Sequence, residues 1–185
     1  MTMDWGLERK FCQMEATLSV TDGMQVEGYA SLFGDRDRGG DVVQPGAYAG
    51  SLARLSAEGR QVKMLWQHDP AQPIGVWDEV REDAKGLYVK GRLLDSVEKA
   101  REAAALIAAK AIDGLSIGYR TVKAMKNDKG ARLLQELELW EVSLVTFPML
   151  PSARVMAKGD DPQLEQALRE LAAGFEAARQ EMAQQ

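Results

Sequence analysis

Two pairs of alternating segments, each joined by a short polar turn, constrain the fold of this chain more than any other feature. "IGVWDEVRE" and "GLYVKGRLL" alternate with a period of two residues around the turn "DAKG". "SIGYRTVKAM" and "LLQELELWEVSLVTF" do the same around "NDKG". In "GLYVKGRLL", for example, Leu87, Val89 and Leu93 share one face. Alternation on both sides of a short turn predicts two antiparallel hairpins.

The segments before these hairpins predict more strands and one short helix. Residues 15–33 are rich in β-forming residues, and the compact apolar run "VKMLW" predicts a further strand. A helix is predicted to follow Pro45 and to end at Gly59. Its apolar face would be formed by Tyr48, Leu52 and Leu55.

The longest internal helix is predicted over residues 96–112. Asp95 is placed to cap its N-terminus, with Glu98 three residues later in a capping-box arrangement. Gly114 stands where a left-handed residue would end the helix. The buried stripe of this helix would consist of Ala100, Ala103, Ile107 and Ala111.

The C-terminal part of the chain is predicted to be a separate amphipathic helix. "AKGDDP", residues 157–162, is polar and rich in helix breakers, so it predicts a linker after a domain spanning residues 8–156. Residues 163–185 carry a heptad-like apolar stripe of Leu164, Leu168, Leu171, Phe175, Ala178 and Met182. This helix could fold back on the domain or bind a partner, such as a second copy of the chain.

Composition argues against nucleic-acid and membrane functions. The 185 residues carry a net charge of -5 and no basic cluster, whereas phosphate binding needs a basic surface. The first residues contain no apolar signal region, and no apolar run approaches the roughly 18 residues that span a membrane. Cys12 is the single cysteine, which excludes an internal disulfide. We therefore expect a soluble protein made in the cytoplasm.

The sequence favours neither a metal site nor a cofactor. His68 is the single histidine, so zinc sites built on several histidines or cysteines are excluded. "DRDRGGD" offers three carboxylates, those of Asp35, Asp37 and Asp41. It fails the EF-hand pattern because Gly39 and Gly46 stand at ligand positions. A glycine-rich turn with solvated charges is the favoured interpretation.

The segment "GLSIG", residues 114–118, fits the pattern G-x-S-x-G around Ser116. In α/β-hydrolases this pattern forms a nucleophile elbow between a strand and a helix, and the histidine follows the serine along the chain. Here a helix is predicted before Ser116 and a strand after it, and the histidine lies earlier in the chain. The pattern therefore does not predict an α/β-hydrolase, although Ser116 can still be a nucleophile in another fold.

A serine nucleophile needs a base and an acid that orients it. His68 in "LWQHDP" follows an apolar strand, so we expect it at the edge of an element near solvent, as a base or as a structural histidine. Glu141 lies in the buried half of its strand, where alternation puts it on one face with Leu139 and Ser143. A buried carboxylate needs a partner. That partner could be His68, or a lysine or arginine in a structural ion pair.

Five blocks of the sequence, in order, resemble the prohead proteases of HK97-type tailed bacteriophages. They are "GYASLFGDRDRGGDVVQPGAYAGSL", "MLWQHDPAQPIGVW", "GLYVKGRLL", "DGLSIGYR" and "LWEVSLVTFPMLPSARV". The resemblance covers residues 8–155. It implies a serine protease that acts inside the immature capsid in the bacterial host. Its substrates would be the scaffolding segment of the major capsid protein and the protease itself. It also implies an α+β fold with a mainly antiparallel β-barrel core and surrounding helices, similar to the herpesvirus assembly proteases.

Carried over to this sequence, the resemblance implies a triad of His68, Ser116 and Glu141, with no cofactor. At "FPMLPSA" the chain departs from the usual family wording, in which a small residue and Asn replace Met149 and Leu150. Two other functions compete with this one. A non-catalytic capsid assembly protein would bind its partners through the C-terminal helix. Ser116 and His68 would then have structural roles only. An esterase for small substrates would share the triad and differ only in substrate.

Overall fold

The computed structural model describes residues 8–11, 19–21, 24–37, 39–127 and 130–146. Within these residues the chain forms nine strands and two helices. The strands are β1 Glu8–Phe11, β2 Ser19–Thr21, β3 Gln25–Leu32, β4 Asp41–Val43, β5 Lys63–Trp66, β6 Asp69–Glu82, β7 Gly86–Leu93, β8 Gly114–Lys126 and β9 Arg132–Val145. The helices are α1 Ala49–Ala57 and α2 Glu98–Ala108. No helix among these residues is long and apolar enough to cross a membrane.

The nine strands form one mixed sheet in the order β1-β8-β9-β5-β6-β7-β3-β2, with β4 placed beside β9. All neighbouring strands are antiparallel except β4 and β5, which run parallel to β9. β3 also contacts β8 across the sheet, so the sheet curls into a half-barrel. The predicted α+β class and the mainly antiparallel pairing are confirmed. The described strands curve only halfway round, whereas a β-barrel core was expected. The predicted C-terminal helix and its linker lie outside the described residues.

Both predicted hairpins are present. β6 and β7 pair around residues 83–85, and β8 and β9 pair along nearly their whole length. On β7 the alternation gives the expected burial, with Leu87, Val89 and Leu93 at most 3% exposed. "VKMLW" forms β5, as expected. β1 and β4, each three or four residues long, were not predicted.

Helix α1 follows Pro45 and stops before Gly59, as predicted, and Gly59 takes a left-handed conformation. Helix α2 differs at both ends from its prediction. Its N-cap is Val97 without a side-chain hydrogen bond, so Asp95 does not cap it. Its C-terminus is closed by Lys110, which has φ 56° and bonds back to Ile107. Since Lys110 supplies the left-handed residue of this Schellman-type ending, Gly114 is free to begin β8.

The core lies between the curled sheet and the two helices. Helix α2 buries Ala100, Ala103 and Ile107 against it, as predicted, whereas Ala111 beyond the helix is exposed. Further fully buried core side chains, all below 2% exposed, include Tyr48, Met64, Ile74, Leu87, Leu115, Ile117 and Leu134. Removal of a large apolar side chain from such a core costs about 2–5 kcal/mol. This well-packed core therefore holds β8 and β9, and the side chains that they carry, in a fixed position.

Strand β9 is held along one edge by three different elements. β4 pairs with residues 132–134, and β5 pairs with residues 141–144. Between them, Leu137 donates its N–H to the carbonyl of Ala47, and Leu139 donates to the hydroxyl of Ser51 on α1, each at 2.9 Å. Ala47, just before α1, and Ser51 within it thus accept two N–H groups of β9 that neither β4 nor β5 pairs with.

Strand β9 contains a bulge at Trp140 that corrects one predicted face. Gly118 pairs with Glu141 but the next residue, Tyr119, pairs with Leu139, so Trp140 is the extra residue and is 41% exposed. Because Gly118 and Tyr119 point to opposite faces, Leu139 and Glu141 do so too. Strict alternation had placed Leu139 and Glu141 on one face.

Candidate active site

His68 lies in the tight turn between β5 and β6. Trp66 pairs with Asp69, so Gln67 and His68 are the two central residues of a two-residue hairpin. Both have left-handed backbones, with φ 52° and 62°. Such turns favour Asn-Gly, and a residue of another type costs about 1–3 kcal/mol there. A Gln-His turn therefore needs contacts from elsewhere in the fold to hold it.

Strand β9 supplies those contacts. The N–H of Gln67 donates to the carbonyl of Leu144 at 2.9 Å. The side-chain amide of Gln67 donates to the hydroxyl of Thr146 at 2.6 Å and accepts from the Thr146 N–H at 3.4 Å. The N–H of His68 donates to the hydroxyl of Ser143 at 3.1 Å. The turn is thus fastened to the last residues of β9, and the imidazole is directed onto that strand.

The imidazole of His68 meets the carboxylate of Glu141. Nδ1 of His68 lies 2.5 Å from Oε1 of Glu141, and the two side chains are only 5% and 8% exposed. The partner that the sequence left open for Glu141 is therefore His68 and not a lysine or an arginine. When Glu141 is ionised its carboxylate can only accept, so Nδ1 of His68 is then the donor, and in an uncharged ring the lone pair is on Nε2.

The expectation that His68 lies near solvent is wrong. The residue does stand at the edge of an element, but its exposure is only 8%. The left-handed turn folds the ring back over β9, where Glu141 and Ser143 hold it.

Two further residues fix the carboxylate of Glu141. The hydroxyl of Ser143 donates to Oε2 at 2.6 Å. On the neighbouring strand, a Cβ added to Gly118 would stand 2.2 Å from Oε1, because the Glu141 side chain lies directly over that glycine. The second glycine of the G-x-S-x-G pattern thus leaves room for an acid on β9.

Ser116 lies within β8, and its exposure is 0%. It pairs directly with Ser143, just as Gly118 pairs with Glu141 two positions along. Directly paired residues share a face of the sheet, with Cβ atoms about 4.5–5.5 Å apart. Ser116, Ser143 and Glu141 therefore stand on one face, at the place where His68 reaches β9. The whole G-x-S-x-G segment is strand, so it forms no nucleophile elbow.

The residues that the sequence singled out for a metal form a loop. Asp37 accepts the N–H of Asp41 through its carboxylate at 2.7 Å, and Asp41 lies 3.6 Å from the guanidinium of Arg132. Among the described residues, no group of three or more His, Cys, Asp or Glu side chains is placed to hold a metal ion. Cys12 lies outside the described residues.

Two side chains near the β6–β7 turn have strongly shifted pKa values. Burial alone would raise the pKa of Asp83. Hydrogen bonds from Tyr29, from two backbone N–H groups and from Arg81 outweigh it and lower that pKa to about 2. Nearby, burial and the carboxylate of Glu27 raise the pKa of Tyr88 to about 12.

Sequence reasoning missed Ser143, Gln67 and Gly118 as parts of this site. A signal existed for Ser143, because it lies two residues from Glu141 on a strand and so shares its face. Gly118 could have been identified only from the strand register, which pairs it with Glu141. Nothing in the sequence marks Gln67, whose partner Thr146 is 79 residues away.

Comparison with known proteins places this sequence in a family. A family model described as "Caudovirus prohead serine protease" matches residues 12–166, which is most of the chain. The chain belongs to the caudovirus prohead serine protease family. The prohead protease of Enterobacteria phage HK97 is 35% identical over 141 residues, which cover 74% of this chain and 61% of that relative. The chain thus spans about three fifths of the relative's length. The predicted family resemblance is confirmed.

Solved structures support the fold of this family member. The structure of the bacteriophage T4 capsid assembly protease superposes with a TM-score of 0.61 at 15% identity, covering 77% of this chain and 98% of that one. At such low identity the likeness shows a common fold. The varicella-zoster virus protease gives a TM-score of 0.40 at 14% identity, covering 69% of this chain and 60% of that one. That likeness is too weak to carry an argument, and the predicted similarity to herpesvirus proteases stays a prediction.

Proposed function

We propose that this chain is a serine endopeptidase of capsid maturation that uses Ser116 as nucleophile, His68 as base and Glu141 as orienting acid. The observation that carries the proposal is the buried 2.5 Å contact between His68 and Glu141, with Ser116 on the same face one strand away. Family membership supports the reaction class.

In this proposal each of the three residues has a distinct task. Since Nδ1 of His68 is bonded to Glu141, Nε2 is the nitrogen that accepts the proton of Ser116 as its oxygen attacks a peptide carbonyl. The carbonyl becomes a tetrahedral oxyanion, and Nε2–H then gives its proton to the leaving amine. This leaves an acyl group on Ser116. Water, deprotonated by the same imidazole, releases the acid product and restores the hydroxyl.

Glu141 contributes through charge as well as through orientation. Protonation of His68 in the transition state creates an imidazolium beside a carboxylate that is already in place and mostly shielded from water. Attraction between charges is stronger at such a site than in water, and no reorganisation is needed during the reaction. This chemistry requires no metal or cofactor.

The substrate is proposed to be the scaffolding segment of the major capsid protein, together with the chain itself. The reaction would take place inside the immature capsid in the cytoplasm of the bacterial host. Support comes from the name of the HK97 relative, "Prohead protease", and from the family description. Neither nucleic acid nor a membrane is a partner in this proposal.

The test is co-expression with the major capsid protein of the same phage, followed by intact mass spectrometry. We expect the parent chain to trim the capsid protein, and Ser116→Ala to leave it whole. Ser31→Ala is the matched control, because Ser31 is equally buried on β3 but its hydroxyl has no partner among the described residues. Equal trimming by the parent and Ser116→Ala would show that Ser116 is not the nucleophile. If particles assemble with the parent chain but their capsid protein stays uncleaved, the non-catalytic assembly protein is favoured instead.

Self-cleavage is proposed to occur in the linker near Gly159, which would separate residues 163–185 from the domain. In this proposal residues 163–185 attach the protease to scaffold or to a second copy before release. Purified parent chain should lose this segment during long incubation at high concentration, and Ser116→Ala should not. A parent chain that keeps its intact mass would contradict the proposed linker site.

A further inference from the structure

A second serine, Ser143, stands at the centre of the candidate site and has no role in the reaction as written above. Its hydroxyl accepts the N–H of His68 at 3.1 Å and donates to Oε2 of Glu141 at 2.6 Å. Its exposure is 0%. We infer that Ser143 is a positioning residue that locks His68 and Glu141 into one geometry. This inference rests on the proposed function.

The hydroxyl of Ser143 sets the orientation of the acid. Oε1 of Glu141 faces His68, and Oε2 faces Ser143, so each carboxylate oxygen has its own donor. The carboxylate can take this orientation because Gly118, which has no side chain, leaves space beneath it. Without the hydroxyl, a nearly buried Oε2 would lose its donor, and the carboxylate would turn away from Nδ1 to find another.

The same hydroxyl supports the backbone of the base. His68 has φ 62°, a left-handed conformation that is uncommon for any residue other than glycine. The bond from its N–H to Ser143 ties that strained residue to β9 beside the carboxylate. One oxygen atom therefore couples the turn that carries the base to the acid that orients it.

Bond directions separate the tasks of the two serines. The hydroxyl of Ser143 donates a hydrogen bond to the carboxylate of Glu141, and that carboxylate is also bonded to Nδ1 of His68. Ser143 is therefore not arranged to lose its proton to the imidazole. Ser116, on the facing strand, is left as the nucleophile in the proposed reaction.

The test uses the fact that His68 is the single histidine of the chain, so its ring signals in NMR spectra are unambiguous. A strongly hydrogen-bonded Nδ1–H gives a proton resonance far downfield of the amides. In an inactive Ser116→Ala background, this resonance should be present, should persist in Ser143→Thr, and should be lost or moved upfield in Ser143→Ala. Ser31→Ala should leave it unchanged. If Ser143→Ala does not fold, Ser143→Cys replaces it, because a thiol is a weak donor of similar size.

Kinetics in the active background give the second readout. The probe is a fluorophosphonate, which phosphonylates an activated serine with loss of fluoride and needs no peptide. Ser143→Ala should lower the maximal rate of phosphonylation about 10- to 100-fold with the reagent's apparent affinity unchanged, and Ser143→Thr should restore the rate.

Failure of this inference and failure of the proposed function give different results. An unchanged downfield resonance and an unchanged phosphonylation rate in Ser143→Ala would overturn the positioning role, while an inert Ser116→Ala would still support the protease. An adduct on Ser143 would overturn the inference by making that serine the nucleophile. Full peptidase activity in Ser116→Ala would overturn the proposed function, and the NMR comparison would still decide whether Ser143 organises the His68–Glu141 pair.

Discussion

The carboxylate of Glu141 lies directly over Gly118 on the adjacent strand, so close that a Cβ at residue 118 would stand 2.2 Å from Oε1. This contact links the G-x-S-x-G segment to the proposed acid. The side chain of Glu141 explains this glycine, because Gly118 lies within β8 and forms no turn.

Gly118→Ala should therefore damage the site without touching a catalytic group. The added methyl forces the carboxylate away from His68, and overpacking of this kind costs about 1–3 kcal/mol in the free energy of unfolding. We expect phosphonylation by a fluorophosphonate to slow in a variant that still unfolds cooperatively in urea. The matched control is Gly50→Ala on α1, where a Cβ would lie 3.6 Å from Glu136, an ordinary contact. Unchanged phosphonylation in Gly118→Ala would contradict the position assigned to Glu141.

Glu141→Gln should slow the reaction by about 10³- to 10⁴-fold. The amide keeps the size of the acid, but it lacks the negative charge that stabilises the imidazolium of His68. The rate of self-trimming, followed by intact mass, measures the effect. Glu138→Gln, three residues earlier on β9 and bonded to Arg120, is the control and should trim at the parent rate. Equal rates for Glu141→Gln and the parent would remove Glu141 from the triad.

Gln67 and Thr146 should prove energetically coupled. Their side chains and backbone exchange two hydrogen bonds that hold the strained turn of His68. Gln67→Ala and Thr146→Ala should each destabilise the fold, and the double variant should lose less than the sum by about 0.5–1.5 kcal/mol. Urea unfolding of the four proteins measures this coupling. Strict additivity would show that the contact does not hold the turn.

Local patterns account for the parts of the fold that the sequence predicts well. The β6–β7 and β8–β9 hairpins follow from alternation around short turns, which requires only neighbouring residues. β1 and β4 escape prediction because strands of three or four residues carry almost no periodicity. The N-cap at Asp95 fails because α2 starts at Glu98, so Val97 occupies the cap position.

The site is less predictable because its geometry depends on register between distant strands. Glu141 and His68 are 73 residues apart, and their contact requires β5 beside β9 in one register. A single bulge residue, Trp140, turns Glu141 away from the face of Leu139, and no local pattern announces it. The buried position of His68 depends on a left-handed turn whose residues do not favour it.

Stability should fall in acid partly because of Asp83. Its pKa is lowered to about 2 in the folded chain, below the value near 3.9 expected when unfolded. A carboxyl with a lowered pKa stabilises the fold fully above about pH 4, and this contribution is lost as the pH falls towards 2. The urea midpoint of the parent should thus decrease more steeply between pH 4 and 2 than that of Asp83→Asn. Parallel midpoints across this range would contradict the assignment.

Labelling with a fluorophosphonate followed by peptide mapping identifies the nucleophile. We expect a single adduct on Ser116, absent from Ser116→Ala and strongly reduced in His68→Gln. Labelling of Ser116→Ala at the parent rate, or an adduct on any other serine, would show that Ser116 is not the nucleophile.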